Sequence, residues 1–100
     1  MLAHMVYFTL KDKSPASRKS LVDACKTYLT DHPGLVHFSV GELADQYRRD
    51  VNDREFDVAL HLIFQDHAAH DVYQTAPRHN QFVAEQKDGW AKVRVFDANI

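Results

Sequence analysis

"FDVALHLIF", residues 56–64, alternates in a way that only a strand explains. Val58, Leu60, Leu62 and Phe64 fall on one face, and Ala59, His61 and Ile63 on the other. Working outward, "LVHFSVG" (35–41) is a second candidate strand upstream. The polar "ADQYRRDVNDRE" (44–55) between the two reads as a long, mobile connection. Downstream, Asp66 is placed to cap a helix carrying Ala69, Val72, Tyr73 and Ala76. Pro77 interrupts it, and a further helical piece bears Phe82 and Val83 up to Gly89.

The ends of the chain complete the pattern. "AHMVYFTL" (3–10) sets His4, Val6, Phe8 and Leu10 on one face and Met5 and Tyr7 on the other. Both faces are apolar, as in a strand covered on two sides. Ser14 before Pro15 starts a helix, since the hydroxyl caps and proline needs no N–H in the first turn. Leu21, Val22, Cys25, Tyr28 and Leu29 then share one helical face, which "DHPG" (31–34) terminates. "KVRVF" (92–96) is the last strand, with Val93 and Val95 opposite Arg94 and Phe96. The order is βαββαβ, a split βαβ arrangement in one domain spanning 1–100. It predicts an α+β fold, a four-stranded antiparallel sheet with helices on one face. Met5, Tyr7, Ala59, Ile63 and Phe96 are too many apolar residues for water, so a second copy is expected to cover that face as a homodimer.

Composition narrows the function. Of the 100 residues 45% are hydrophobic and 26% charged, and the formal net charge is −2, an ordinary globular balance with no footprint for nucleic acid. No apolar run approaches the roughly 18 residues of a membrane span, and no membrane partner or signal peptide is expected. One cysteine, Cys25, permits no internal disulfide, which fits a reducing, cytoplasmic setting. On its helical face it reads as a core residue rather than a nucleophile. With three glycines and no phosphate loop, nucleophile elbow or paired carboxylates, no cofactor is expected.

The chemistry-bearing candidates are Tyr73, His79 and His4. On an unbroken helix, positions 73 and 79 would sit about 120° apart. Pro77 removes an N–H and pushes Ala76 out of helical geometry, so the two arms are free to aim both side chains into one space. There a histidine serves as general acid or base, and a tyrosine hydroxyl holds a carbonyl or enolate oxygen. His4, in phase with the helix-facing strand residues, would join them. His67 and His70 stand three apart on the second helix, but His61 is in phase with the opposite sheet face. No third ligand converges, and no metal is expected.

"HMVYFTLKD" at the start, "HPGLVHFSVG", "FDVALHLIF", "YQTAPRHNQFV" and "VRVFD" together resemble the stress-responsive dimeric α/β-barrel (Dabb) family over nearly the whole chain. The resemblance implies a ferredoxin-like subunit whose sheet pairs with a partner's to form a dimeric α+β barrel. In a plant branch of polyketide cyclases, the tyrosine and histidine matching Tyr73 and His79 are acid–base groups, and the match to His4 lines the pocket. Ala76 replaces a histidine common before the proline, Val58 a histidine of the cyclase branch, and His67 and His70 common leucines. The pocket walls implied are Val6, Phe8, Leu21, Val22, Leu60, Phe82, Val93 and Val95, suited to a small apolar or aromatic molecule. Three functions follow as expectations: a stress-associated, ligand-binding homodimer of unassigned activity; a cofactor-free cyclase or lyase with His79 as base and Tyr73 as oxyanion donor; and a cofactor-independent monooxygenase.

Overall fold

The computed structural model describes residues 1–100. Strand β1 (Leu2–Leu10) leads to helix α1 (Pro15–Tyr28), then strands β2 (Leu35–Glu42) and β3 (Val58–Phe64). Helices α2 (His67–Thr75) and α3 (Pro77–Gln86) follow, and a short 3-10 turn delivers the chain to β4 (Trp90–Asn99). The sheet order is β2-β3-β1-β4 with every pair antiparallel, the split βαβ topology expected from the pattern. The last strand is longer than residues 92–96, because β4 pairs along β1 from Trp90 to Asn99.

One sheet face carries the core. Val6 sits between Leu60 and Val95 in the register, and Phe8 between Val58 and Val93. These rows meet Leu21, Cys25 and Leu29 of the α1 region, with Tyr73 and Phe82 from the later helices. Each fully buried aliphatic side chain there contributes about 1.5–3 kcal/mol by leaving water. Ser14 Oγ accepts the Ser17 N–H and Asp66 Oδ1 the Ala69 N–H, so the predicted caps form at both helix starts. Burial pushes the Cys25 thiol up to about 12, the behaviour of an inert core cysteine.

Two local devices fix how the layers meet. In the α1–β2 turn, Asp31 (φ 60°) and Gly34 (φ 80°) both take left-handed backbone. A Cβ on Gly34 would lie 2.4 Å from Ala69 Cβ, so glycine lets the entry to β2 approach α2. At the other end, Asp57 accepts the Leu10 N–H and the Lys13 ammonium, both at 2.8 Å, tying the start of β3 to the end of β1.

The opposite sheet face is apolar and open. Tyr7 packs edge-on against Phe56, His61 and Phe96, with centroids 5.0–5.9 Å away, and Phe96 is 52% exposed. Above this face lies the 44–55 segment, which forms no strand or helix. Asp53 pairs with Arg94 of β4 at 2.7 Å, and Asp45 takes Arg48 at 2.6 Å and Arg54 at 3.3 Å. The segment and sheet enclose a recess of about 490 Å³ lined by Met5, Tyr7, Tyr47, Phe56 and Phe96 among others.

Candidate functional site

The break at Pro77 builds the site. Ala76 has φ −64° and ψ 142°, extended rather than helical, and serves as the last cap of α2 and the first of α3. Tyr73 ends one arm and His79 opens the next, and their rings meet edge to face with centroids 4.7 Å apart. Tyr73 is 2% exposed, wedged between Phe64 (5.1 Å) and His32 (4.9 Å), with His4 at 6.2 Å. His32 was not singled out from the sequence, where "HPG" reads only as a helix stop. Its Nε2 lies 2.8 Å from the Tyr28 carbonyl oxygen, which fixes the ring so that it supports Tyr73.

The electrostatics set the protonation states. Burial pushes the Tyr73 phenol far above its ordinary value, so it stays an O–H donor at any physiological pH. Burial lowers the His79 imidazole, and the neighbouring His32, His4 and His70 lower it further, so the neutral ring is favoured. His4 is lowered by burial too, although Asp97 opposes this with a 2.5 Å contact to Nδ1. With Asp97 Oδ1 accepting from Nδ1–H, Nε2 of His4 keeps the lone pair.

A cavity of about 130 Å³ opens beside these groups, between the sheet and the later helices. His4, Tyr73 and His79 line it, as do Val6, Phe8, Leu60, Phe82, Val93 and Val95. Leu21 and Val22 do not. Leu21 is turned into the closed core and Val22 packs at its margin, because α1 covers the β3 side of the sheet while the cavity lies toward β4. Sequence reasoning missed Trp90, Leu29, Gln74 and Val83 in the lining. Trp90 lay outside the strand read as 92–96, and a tryptophan following a glycine turn was the available signal. It stacks on Phe8 at 5.0 Å and Phe82 at 5.7 Å, forming an aromatic wall. Two buried side-chain nitrogens lack a hydrogen-bond partner, His79 Nδ1 and Trp90 Nε1, and both belong to residues lining this cavity.

The three histidines weighed together for metal do not converge. His61 is on the open sheet face with its Nε2 3.3 Å from the Tyr7 hydroxyl, and His67 Nε2 is 2.7 Å from Asn99 Oδ1. His70 instead lies against His4, with centroids 4.9 Å apart. His4, His70 and Asp97 each offer one ligand atom, all within 4.8 Å of one another.

Solved structures share this fold. A dimeric ferredoxin-like protein of unknown function from Thermobifida fusca YX matches with a TM-score of 0.82 at 16% identity, covering 99% of this chain and 90% of that one. A Dabb-family protein with a ferredoxin-like fold from Mesorhizobium loti MAFF303099 matches with a TM-score of 0.81 at 25% identity, covering 99% and 95%. The hydroxynitrile lyase of Passiflora edulis matches with a TM-score of 0.78 at 19% identity, covering 99% and 92%. Curated proteins give no sequence match. The family model of the stress-responsive A/B barrel domain matches residues 2–100. With that match on a βαββαβ subunit, the chain belongs to the Dabb family.

Proposed function

We propose that this chain is one half of a homodimer that binds a small aromatic or apolar molecule between its sheet and its helices, with Tyr73, His79 and His4 as polar contacts. One observation carries the reading: His79 and Trp90, each with a buried side-chain nitrogen that lacks a partner, line a single apolar cavity. An unpaired buried polar group costs about 1–3 kcal/mol. A side-chain rotation that turns either nitrogen toward a ligand oxygen or nitrogen would recover that energy. Size narrows the class, since a cavity of about 150 Å³ holds benzene. At about 130 Å³ the space is near that of a single small ring and far from that of a long poly-β-ketone chain. Small phenols titrated calorimetrically should bind saturably. Val95→Trp, at an exposed position on the cavity rim, should abolish that binding. Equal affinity in wild type and variant, or no binding in either, would remove the reading.

Dimer formation fits the open apolar face around Tyr7 and Phe96, and the Thermobifida fusca relative is dimeric. A partner's sheet laid there would fill the larger recess, which explains its size without a second ligand. The protomer's lone, buried thiol suits a reducing compartment such as the cytoplasm.

A catalytic reading rests on the same groups. Neutral His79 is a competent base, and the protonated Tyr73 hydroxyl is a donor for an oxygen gaining negative charge. The likeness to the Passiflora edulis lyase and the small cavity favour cleavage of an aromatic hydroxynitrile over cyclisation of a polyketide. Val58 supports this ranking, being fully buried in the core rather than offering a third imidazole. Hydroxynitriles, poly-β-ketone thioesters and phenols should be assayed with Tyr73→Phe and His79→Ala. Turnover unchanged in both variants would end the acid–base assignment.

A further inference from the structure

We infer that His4, His70 and Asp97 form a site for a divalent transition-metal ion at the edge of the cavity. They come from three elements, β1, α2 and β4, and nothing in their sequence spacing joins them. The β1–β4 register sets His4 directly opposite Asp97, and the end of the sheet brings α2 across so that His70 faces His4. One ligand atom from each lies within 4.8 Å of the other two. Ligand atoms about 2.1 Å from a tetrahedral ion stand about 3.4 Å apart. Seating an ion therefore needs side-chain shifts of roughly 1 Å, with the His4–Asp97 pair opening from 2.5 Å and His70 drawing in.

The donor set selects the ion class. Two imidazole nitrogens and one carboxylate oxygen suit zinc, cobalt or ferrous iron, whereas calcium and magnesium favour oxygen-rich shells. Three protein ligands leave at least one position for water or a ligand atom. The side chains of His4 and His70 are 7% and 15% exposed and that of Asp97 is 44% exposed, so the ion enters past the carboxylate. The existing contacts are compatible with exchange. The ion takes the place of the proton between His4 Nδ1 and Asp97 Oδ1. The ring nitrogens of His70 meet only their own helix, Asp71 Oδ1 at 3.2 Å and Gln74 Nε2 at 3.1 Å. One of these long contacts yields to the ion, and the other keeps the ring oriented.

Metal-stripped protein titrated with Zn²⁺ by calorimetry, and with Co²⁺ by visible absorption, tests this directly. One ion per chain should bind, with the absorption of a nitrogen- and oxygen-ligated cobalt centre. His70→Gln and Asp97→Asn should each weaken binding about tenfold or more, while His67→Ala, on the same helix but paired with Asn99, should leave it unchanged. Circular dichroism identifies either variant that fails to fold, and the other then decides. Absence of saturable binding, or equal affinity in the folded variants, would overturn the site. Ligand binding by the cavity is read separately in the phenol titration, so failure of one proposal is distinguishable from failure of the other.

Discussion

Tyr73 and His79 lie edge to face, 4.7 Å between ring centroids, although five residues, Pro77 among them, separate them in the chain. Restoring an N–H at position 77 allows α2 to run on through Ala76, which would turn the two side chains about 120° apart. Pro77→Ala is therefore expected to weaken binding of small phenols about tenfold, roughly 1.4 kcal/mol. Calorimetry against wild type checks this. An unchanged affinity would mean that the break does not position the pair.

Acid should destabilise the fold through its histidines. His79 and His4 are held below the ordinary 6.5, in each case first by burial. As pH falls past 6.5 the unfolded chain binds protons that the folded chain resists, so their contribution is full above 6.5 and lost through the lower folded values. In metal-free buffer, the Tm of wild type should drop between about pH 7 and pH 5, and His79→Gln should flatten that slope. Parallel profiles would contradict the assignment.

Asp57 acts at lower pH. Burial alone would raise its carboxyl, but the Leu10 N–H and Lys13 ammonium outweigh this and hold it below the usual 3.8. Its contribution is present above 3.8 and disappears as pH falls through the depressed folded value. Asp57→Ala should cost about 1–3 kcal/mol at neutral pH by leaving the Leu10 N–H without its acceptor. Urea melts near neutrality and near pH 3 should show the difference shrinking in acid.

Gly34→Ala joins two penalties at one position. The left-handed φ of 80° and the 2.4 Å approach to Ala69 both act against a Cβ. The expected loss is about 1–3 kcal/mol from strain and overpacking together, read from chemical denaturation. A neutral substitution would show that β2 and α2 can separate freely.

Phe96→Lys places a charge on the open face at a residue already half exposed in one subunit, so the subunit should still fold. Light scattering at micromolar concentration should give the mass of two chains for wild type and one for the variant. A monomeric wild type would remove the homodimer proposal.

The patterns along 3–10, 35–41, 56–64 and 92–96, the Ser14 and Asp66 caps and the Pro77 break specify the strands, the helices and their order, though not the full length of β4. Those features are local: side-chain period, cap chemistry and a missing N–H act within a few residues. The same locality marks Tyr73 and His79 as a pair, since the proline between them is visible in the chain. Tertiary structure alone decided that His32 supports Tyr73 and that Trp90 closes an aromatic wall. It also set His4 against both Asp97 and His70. Strand register and helix placement create these contacts across 93 positions in the case of His4 and Asp97, a separation at which residue spacing carries no information. Leu21 and Val22 illustrate the converse, because their helical face was legible but the side of the sheet on which α1 leaves room was not.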